Sequence, residues 1–129
     1  MKGSAFLTLV GLAVAALLCA PAASAKPSGQ CFSSRDWSGW KASPDSKSIY
    51  IRVSVSKLFR LDLAQACPTL QWPGAHLVTK LRGSSWICSP LDLDLRVSAG
   101  RGTAIPCMVS GITPLSKDEA AALPKKLRP

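Results

Sequence analysis

Strict alternation of apolar and polar residues marks three segments of the chain, residues 48–55, 59–63 and 91–97. In the first segment the apolar positions, which share one face, are Ile49, Ile51, Val53 and Val55. Because successive side chains of a strand point to opposite faces, this period predicts three strands that each bury one face.

Other segments carry weaker strand patterns. Residues 76–81 are typical of a strand that ends at a turn over 82–84, from which residues 86–88 return. Residues 36–41 predict a further short strand, and residues 99–102 predict a turn that leads into residues 105–112. Pro106 lacks a backbone donor, which places this last segment at a sheet edge or a bulge.

The pattern changes at the C-terminus. Ser116 and Glu119 form a capping box, residues 120–123 are good helix formers, and Pro124 ends the helix. Residues 124–129 are expected to form a mobile basic tail, whose charged residues are Lys125, Lys126 and Arg128.

These elements predict a mainly β fold with about six or seven short antiparallel strands and one short C-terminal helix. One apolar face per strand fits either a small sandwich or a partly open barrel. The whole chain has 129 residues, which is enough for one domain, and we expect that domain to span residues 31–123.

The first 25 residues have the composition of a cleaved export signal. Lys2 supplies a positive charge, residues 6–20 are almost continuously apolar, and a small-x-small site ends at Ala25. The apolar run is shorter than the roughly 20 residues that span a bilayer. We therefore expect cleavage between Ala25 and Lys26, a polar leader over residues 26–30, and a periplasmic or secreted protein without a transmembrane segment after processing.

Cleavage would also remove Cys19, and the cysteines that remain are Cys31, Cys67, Cys88 and Cys107. An even number of cysteines in an exported chain is typical of disulfides. No two of them have the C-x-x-C spacing of a zinc or redox site, so we expect no metal. Three pairings are possible, and we favour the nested one, Cys31–Cys107 with Cys67–Cys88, which would tie the N-terminal segment to the last strand.

The charge balance is strongly basic. The chain carries 16 lysines and arginines against 7 acidic residues, and the loss of Lys2 on cleavage lowers the net charge from +9 to +8. The candidate anion-binding residues on outward strand positions are Arg52, Arg60, Lys80, Arg82 and Arg96. If they converge, they form a basic face for an anionic envelope component, and the alternative is a solvated surface. Arg52 and Arg60 are expected to be cross-strand neighbours.

Little in the sequence supports catalysis. His76 is the only histidine, follows a turn, and has no G-x-S-x-G nucleophile motif beside it. Asp92 and Asp94 alternate with leucines and are expected to lie on a solvent face beside Arg96. We therefore expect no catalytic residue and no cofactor. We also expect no nucleic-acid partner, because the sequence has no recognition motif.

The tryptophans are numerous for a small domain and are Trp37, Trp40, Trp72 and Trp86. Tryptophans of a small β domain fill the core more often than they stack on a ligand. Trp72 lies in a predicted loop before Pro73 and is the candidate exposed aromatic residue.

An ordered set of short motifs covers most of the chain after the signal. The motifs are Cys31 followed by Trp40, Tyr50-Ile51-Arg52-Val53, Cys67-Pro68-Thr69-Leu70, Ile87-Cys88 followed by an acidic residue, and Cys107-Met108-Val109 with Ile112 and Leu115. This set resembles a family of small exported proteobacterial proteins called domain of unknown function 6491. The resemblance implies export and a shared fold, and it implies no activity, because the family has none established.

Together these observations predict a small exported protein without enzymatic activity, which binds an anionic envelope component as a monomer. An inhibitor of a secreted enzyme such as lysozyme is an alternative, although an inhibitor of a basic enzyme is expected to be acidic. A small hydrolase that uses His76 or the pair Asp92 and Asp94 is the remaining alternative.

Overall fold

The computed structural model describes residues 31–129, so the predicted signal peptide, its cleavage site and the leader lie outside the described residues. Within that range the mainly β fold is confirmed. The strands are β1 (Phe32–Ser33), β2 (Trp37–Ala42), β3 (Ser48–Val53), β4 (Lys57–Leu63), β5 (Ala75–Leu81), β6 (Trp86–Ile87), β7 (Leu93–Ala99), β8 (Ile105–Pro106) and β9 (Val109–Pro114). The helix α1 spans Lys117–Ala122, and short 3-10 turns span Ser34–Asp36, Pro68–Gln71, Pro90–Asp92 and Lys125–Leu127.

The strands form antiparallel sheets throughout the described part of the chain. A four-stranded sheet has the order β2-β3-β4-β9, a three-stranded sheet has the order β5-β7-β8, and β1 pairs with β6. Within residues 31–129 none of these ladders closes on itself. The arrangement is therefore an open sandwich of sheets and not a closed barrel.

The inner faces of the two larger sheets share one hydrophobic core. Its most deeply buried side chains in these sheets are Ile49, Ile51, Leu61, Leu95 and Val97. The short strand β1 adds Phe32, whose ring centroid lies 4.8 Å from that of Phe59. Alternation identified the core-facing residues of β3, β4 and β7 correctly, because burial of one face forces a period of two on the sequence.

Two apolar positions of the alternating segments are not buried. Val55 is 95% exposed because Ser54, with a φ of 57°, already belongs to the turn between β3 and β4. Leu91 is 77% exposed because it belongs to the 3-10 turn that precedes β7. The predictions that Val55 and Leu91 lie in strands with their side chains buried are therefore wrong.

The strand β6 does not return from β5 as a hairpin. Its two residues pair with β1, so that Phe32 lies opposite Ile87 and Ser33 lies opposite Trp86. The strand β5 pairs instead with β7 along its whole length. The strand β8 lies at the edge of the three-stranded sheet, which confirms the edge position predicted from Pro106.

The disulfides join Cys31 to Cys88 and Cys67 to Cys107, so the predicted nested pairing is wrong. The β1–β6 ladder explains the first bond. Cys31 directly precedes β1 and Cys88 directly follows β6, and the antiparallel register brings their Cα atoms to 4.1 Å. The pairing depends on a contact between two strands of two residues each, which the spacing of the cysteines does not encode.

The second disulfide lies inside the domain, with Cys67 6% and Cys107 3% exposed. Its surroundings hold three chain segments together. The N–H of Cys67 donates to Ser46 O at 2.8 Å in the turn between β2 and β3, and the N–H of Cys107 donates to Leu95 O at 2.9 Å. The side chain of Gln71 donates to the carbonyl of Ser43 at 2.8 Å in the same turn.

The capping box of α1 is confirmed. The N–H of Ser116 donates to Glu119 Oε2 at 2.7 Å, and the N–H of Glu119 donates to Ser116 Oγ at 3.1 Å. The first of these hydrogen bonds is the main cause that lowers the pKa of the Glu119 carboxyl below its usual value, because it stabilises the ionised form.

The residues after α1 contact the rest of the described chain. The guanidinium of Arg128 donates to Leu123 O at 2.9 Å and to Ala121 O at 2.5 Å, beside the C-terminal end of α1. Arg52 Nη2 donates to the main-chain oxygen of Pro129. These hydrogen bonds connect residues 124–129 to α1 and to β3.

Candidate functional site

One side of the sandwich is open, and a groove runs along it. The strands β2 and β5 are the edge strands of their sheets, and they line an open groove of about 340 Å³. On another side β9 packs against β7 and the Pro90–Asp92 turn. Trp37, Ser38, Gly39 and Trp40 line the groove from β2, while His76 and Thr79 line it from β5. We call this feature the tryptophan groove.

A break in the β2–β3 ladder places both indoles on the same side of β2. Residues three apart in a regular strand face opposite sides of the sheet. The register shifts between Trp37 and Gly39, so that Trp37 lies opposite Val53 and Trp40 lies opposite Ile51, both of which are core residues. Bulges of this kind re-aim side chains, and sequence reasoning missed the pair because the strand period alone does not reveal them.

The two indoles differ in how they are held. Trp37 Nε1 donates to Gly39 O at 3.2 Å, and its ring meets that of Phe32 edge to face with a centroid separation of 6.2 Å. Trp40 is half-buried against the core. Within residues 31–129 the indole N–H of Trp40 has no hydrogen-bond partner, and it is not one of the fully buried polar atoms. This donor is therefore available to a ligand in the groove.

The β5 wall of the groove includes the half-buried apolar residue Leu77 beside two polar residues. His76 and Thr79 are exposed, and His76 Nδ1 lies 3.4 Å from the carbonyl of Gly74. Ser38, also exposed, adds a hydroxyl from the β2 side. The groove thus combines aromatic surface with hydrogen-bonding groups, which is the usual composition of a ligand site.

Basic residues flank the segments that line the tryptophan groove, although none of them is itself a lining residue. Lys41 at the β2 edge and Lys80 at the β5 edge lie on the outer faces of their sheets, and both are exposed. Arg35 is exposed in the 3-10 turn before β2, and the turn Lys125–Leu127 packs against β2. We refer to Arg35, Lys41, Lys80, Lys125 and Lys126 as the open-side cations.

The five predicted anion-binding residues do not form one face. Arg52 and Arg60 lie on the outer face of the four-stranded sheet, with Arg52 opposite Leu58 and Arg60 opposite Tyr50. They are therefore diagonal neighbours on two paired strands. Arg60 Nε lies 2.9 Å from Asp62 Oδ1, and Arg52 holds the C-terminal segment as described above.

The other three lie elsewhere. Lys80 and Arg96 are on the outer face of the three-stranded sheet, where Arg96 Nη2 lies 3.4 Å from Asp94 Oδ2, as predicted for that pair. Arg82 follows β5 and lines a separate cavity of about 110 Å³ that includes Leu91. Of the five, only Lys80 belongs to the open-side cations.

Few of the basic residues are neutralised within the fold. Residues 31–129 hold 14 of the 16 lysines and arginines, since Lys2 and Lys26 precede them. Among those 14, Arg60 and Arg96 form ion pairs with carboxylates of the described chain. Other carboxylates accept hydrogen bonds within turns instead. Asp45, for example, accepts from Ser43 Oγ at 2.5 Å, and this hydrogen bond is the main cause that lowers its pKa.

The groups considered for catalysis are not assembled into one site in the described chain. Asp92 accepts from the N–H groups of Cys88 at 2.9 Å and Ser89 at 2.8 Å, so it caps a turn and does not lie on the solvent face of a strand as predicted. No hydrogen bond joins His76 to a serine or a carboxylate among residues 31–129. The same residues contain no group of three or more His, Cys, Asp or Glu that could hold a metal ion.

The exposed tryptophans lie outside the groove lining. Trp72 is 53% exposed, which confirms the exposure predicted from its loop position. Trp86 is 56% exposed, although we expected a residue of the core or its edge. The reason is its place in β6, where Ile87 takes the inward position and Trp86 the outward one.

No helix in the described part of the chain combines the length and the apolar character needed to cross a bilayer.

Residues 4–129 match the model of a family described as a family of unknown function, DUF6491. The chain belongs to this family. The resemblance predicted from the ordered cysteine motifs is thus confirmed. Comparison with curated proteins and with solved structures yields no match. Since the family's description states no activity, any inference about function depends on the site itself.

Proposed function

We propose that this member of DUF6491 is an exported, non-enzymatic protein that binds an anionic component of the cell envelope through its open side. Two disulfides support export, because such bonds persist in oxidising compartments. The predicted signal sequence over residues 1–25 supports it independently.

The observation that carries the proposal is the unneutralised charge around the tryptophan groove. None of the open-side cations forms an ion pair with a carboxylate within residues 31–129. Lys80 lies opposite Asp94 in the ladder, but the ion pair of Asp94 is with Arg96. Several unpaired cations beside the segments that line one groove favour an anionic partner, because their fields add.

The arrangement of the titratable groups supports a binding role over a hydrolytic one. A hydrolase of the serine type needs a histidine bonded to a nucleophile and to an orienting acid. His76 instead lies beside the carbonyl of Gly74, and Asp92 is engaged with backbone N–H groups. The basic surface also disfavours the inhibitor alternative, since an inhibitor of a basic enzyme is expected to be acidic.

The test is binding of purified protein to immobilised polygalacturonate at two salt concentrations, about 20 mM and about 150 mM. The double variant Lys41→Gln/Lys80→Gln removes a cation from each of the two edge strands. We expect it to bind about thirty-fold more weakly at low salt, because each of the two cations near an anionic surface contributes about 1 kcal/mol. Binding of the parent protein should weaken as salt rises.

The matched control is Arg82→Gln/Lys117→Gln, which removes the same charge from positions outside the groove. Its affinity should stay within about two-fold of the parent. Equal losses in both double variants would show that net charge alone matters and would contradict a site on the open side. Absence of binding by the parent to both polygalacturonate and anionic vesicles at low salt would contradict the proposal as a whole.

Export has its own measurement. Protein recovered from the periplasm or medium should begin at Lys26, as read by N-terminal sequencing, and non-reducing alkylation should find no free thiol. A mature chain that begins at Met1 would contradict export by a cleaved signal.

A further inference from the structure

The tryptophan groove adds a chemical preference to the proposed binding role. We propose that it is a subsite for a sugar ring of an anionic polysaccharide, with Trp37 and Trp40 contacting the ring and the open-side cations contacting its carboxylates. This inference rests on the proposed function and names the class of its ligand.

The aromatic side of the tryptophan groove suits a sugar ring. The C–H face of a pyranose ring is apolar and its rim is rich in hydroxyls, so it suits an indole face beside hydrogen-bonding groups. Trp37 and Trp40 supply the aromatic surface, and the Trp40 N–H has no partner within residues 31–129. Thr79 and His76 lie exposed on the opposite wall.

The shape of the site favours a chain-like ligand over a membrane surface. Both groove tryptophans are half-buried on β2, and the concave groove between the β2 and β5 edges matches a flat bilayer surface poorly. The groove is open, and its volume of about 340 Å³ lies at the small end of the range for ligand sites. A polymer can therefore place one ring in it while its other rings stay outside.

The charge around the groove selects among saccharides. Lys41 and Lys80 follow the lining residues Trp40 and Thr79 on the outer faces of the two edge strands, and Arg35 lies in the turn that precedes Trp37. A sugar polymer with one carboxylate per ring presents spaced negative charges to these cations while its ring contacts the indoles. A neutral saccharide would lack the first interaction, and an anionic polymer without rings would lack the second.

The experiment compares a short oligogalacturonate with a linear polyphosphate of equal charge, using calorimetry on the disulfide-bonded protein. We expect the parent to bind the oligogalacturonate about ten-fold more tightly, since aromatic stacking of one ring adds to the shared charge term. The variants Trp40→Ala and Thr79→Gln should remove this difference and leave polyphosphate binding unchanged. Thr79→Gln fills the groove from an exposed position, so it tests the site even if Trp40→Ala fails to fold.

The control variant is Trp72→Ala, which removes an exposed tryptophan outside the groove lining and should preserve the preference. Equal affinity of the parent for both polymers, or a preference that survives Thr79→Gln, overturns the sugar subsite and leaves the proposed function intact. Binding to anionic vesicles but not to oligogalacturonate also overturns the subsite, because the partner is then a lipid surface. Failure to bind any of the three probes overturns the proposed function and the subsite together.

Discussion

The two larger sheets of this domain are held together in different ways. In the four-stranded sheet, β3 and β4 pair from Ser48 to Val53 without a register shift. The three-stranded sheet also contains one regular ladder, β5–β7, but its edge strand β8 has only two residues, and its connections include the short β6 and a 3-10 turn. Both disulfides end in this second region, with Cys88 between β6 and β7 and Cys107 directly after β8.

The difference shows where a small domain uses covalent bonds. A long regular ladder with one buried face stabilises itself through hydrogen bonds and apolar burial. Two-residue strands offer few such interactions, so a crosslink to a distant segment supplies the constraint. We infer that the four-stranded sheet depends less on the disulfides than the region around the three-stranded sheet does.

The largest expected effect is loss of the buried crosslink. The double variant Cys67→Ala/Cys107→Ala should lower the free energy of unfolding by about 4 kcal/mol, because the loop-entropy term for a sequence separation of 40 is of that size. It should lose about 1 kcal/mol more through the missing apolar contacts of the two sulfur atoms. Guanidinium unfolding measures the difference.

The second disulfide serves as the comparison for the first. Cys31→Ala/Cys88→Ala removes a bond with a sequence separation of 57, so its entropy term is also about 4 kcal/mol. Cys31 is exposed, and the additional packing loss should therefore be small. If this variant is less stable than the Cys67 and Cys107 variant, burial does not distinguish the two bonds.

A core truncation in each sheet tests the difference more directly. Leu61→Ala in the four-stranded sheet and Leu95→Ala in the three-stranded sheet remove equally buried leucines, and each should cost about 3 kcal/mol in the oxidised protein. After reduction of the disulfides, Leu95→Ala should lose more additional stability than Leu61→Ala, measured by thermal unfolding. Equal additional losses would mean that both sheets depend on the crosslinks alike.

The same contrast explains what could be predicted from the sequence. Alternation identified Ile49, Ile51 and Leu61 as core residues because a ladder with one buried face leaves a clear period. The period does not reveal where a strand stops, since that depends on a residue such as Ser54 entering a positive φ. The disulfide pairing was mispredicted because it follows from the β1–β6 contact, which involves only four residues.

Only the residue types that contribute to the candidate site could be predicted from the sequence, and not their arrangement. The excess of lysine and arginine and the exposure of Trp72 follow from composition and turn residues. The tryptophan groove depends on a register shift in β2 and on the meeting of two sheet edges distant in the sequence. Neither leaves a local signal, so Trp37 and Trp40 could not be assigned to a groove beforehand.

A smaller effect concerns the helix that follows the four-stranded sheet. Ser116→Ala removes the hydroxyl that accepts from the Glu119 N–H and should cost about 1 kcal/mol of stability at neutral pH. Hydrogen bonds from Ser116 lower the pKa of Glu119 in the folded protein, so its contribution to stability is present above its unfolded pKa and is lost as the pH falls through the lower folded value.

The pH dependence of stability distinguishes the contribution of the Glu119 carboxylate from that of the Ser116 hydroxyl. Glu119→Gln should be less stable than the parent near pH 7, and the gap should shrink when thermal unfolding is repeated near pH 3. Asp118→Asn, in the same first turn but outside the capping box, is the control. Its difference in stability from the parent should be the same near pH 7 and near pH 3. A gap between parent and Glu119→Gln that is constant with pH would contradict the role of the carboxylate.

The smallest expected effects belong to the two apolar residues that alternation assigned to strands incorrectly. Val55 beside the four-stranded sheet and Leu91 beside the three-stranded sheet are exposed, so Val55→Ser and Leu91→Ser should each change the free energy of unfolding by less than about 0.5 kcal/mol. Urea unfolding with Leu61→Ala as the positive control resolves a change of this size. If Val55→Ser or Leu91→Ser lowers the free energy of unfolding nearly as much as Leu61→Ala does, the substituted side chain is buried. The neighbouring strand would then extend to include that residue.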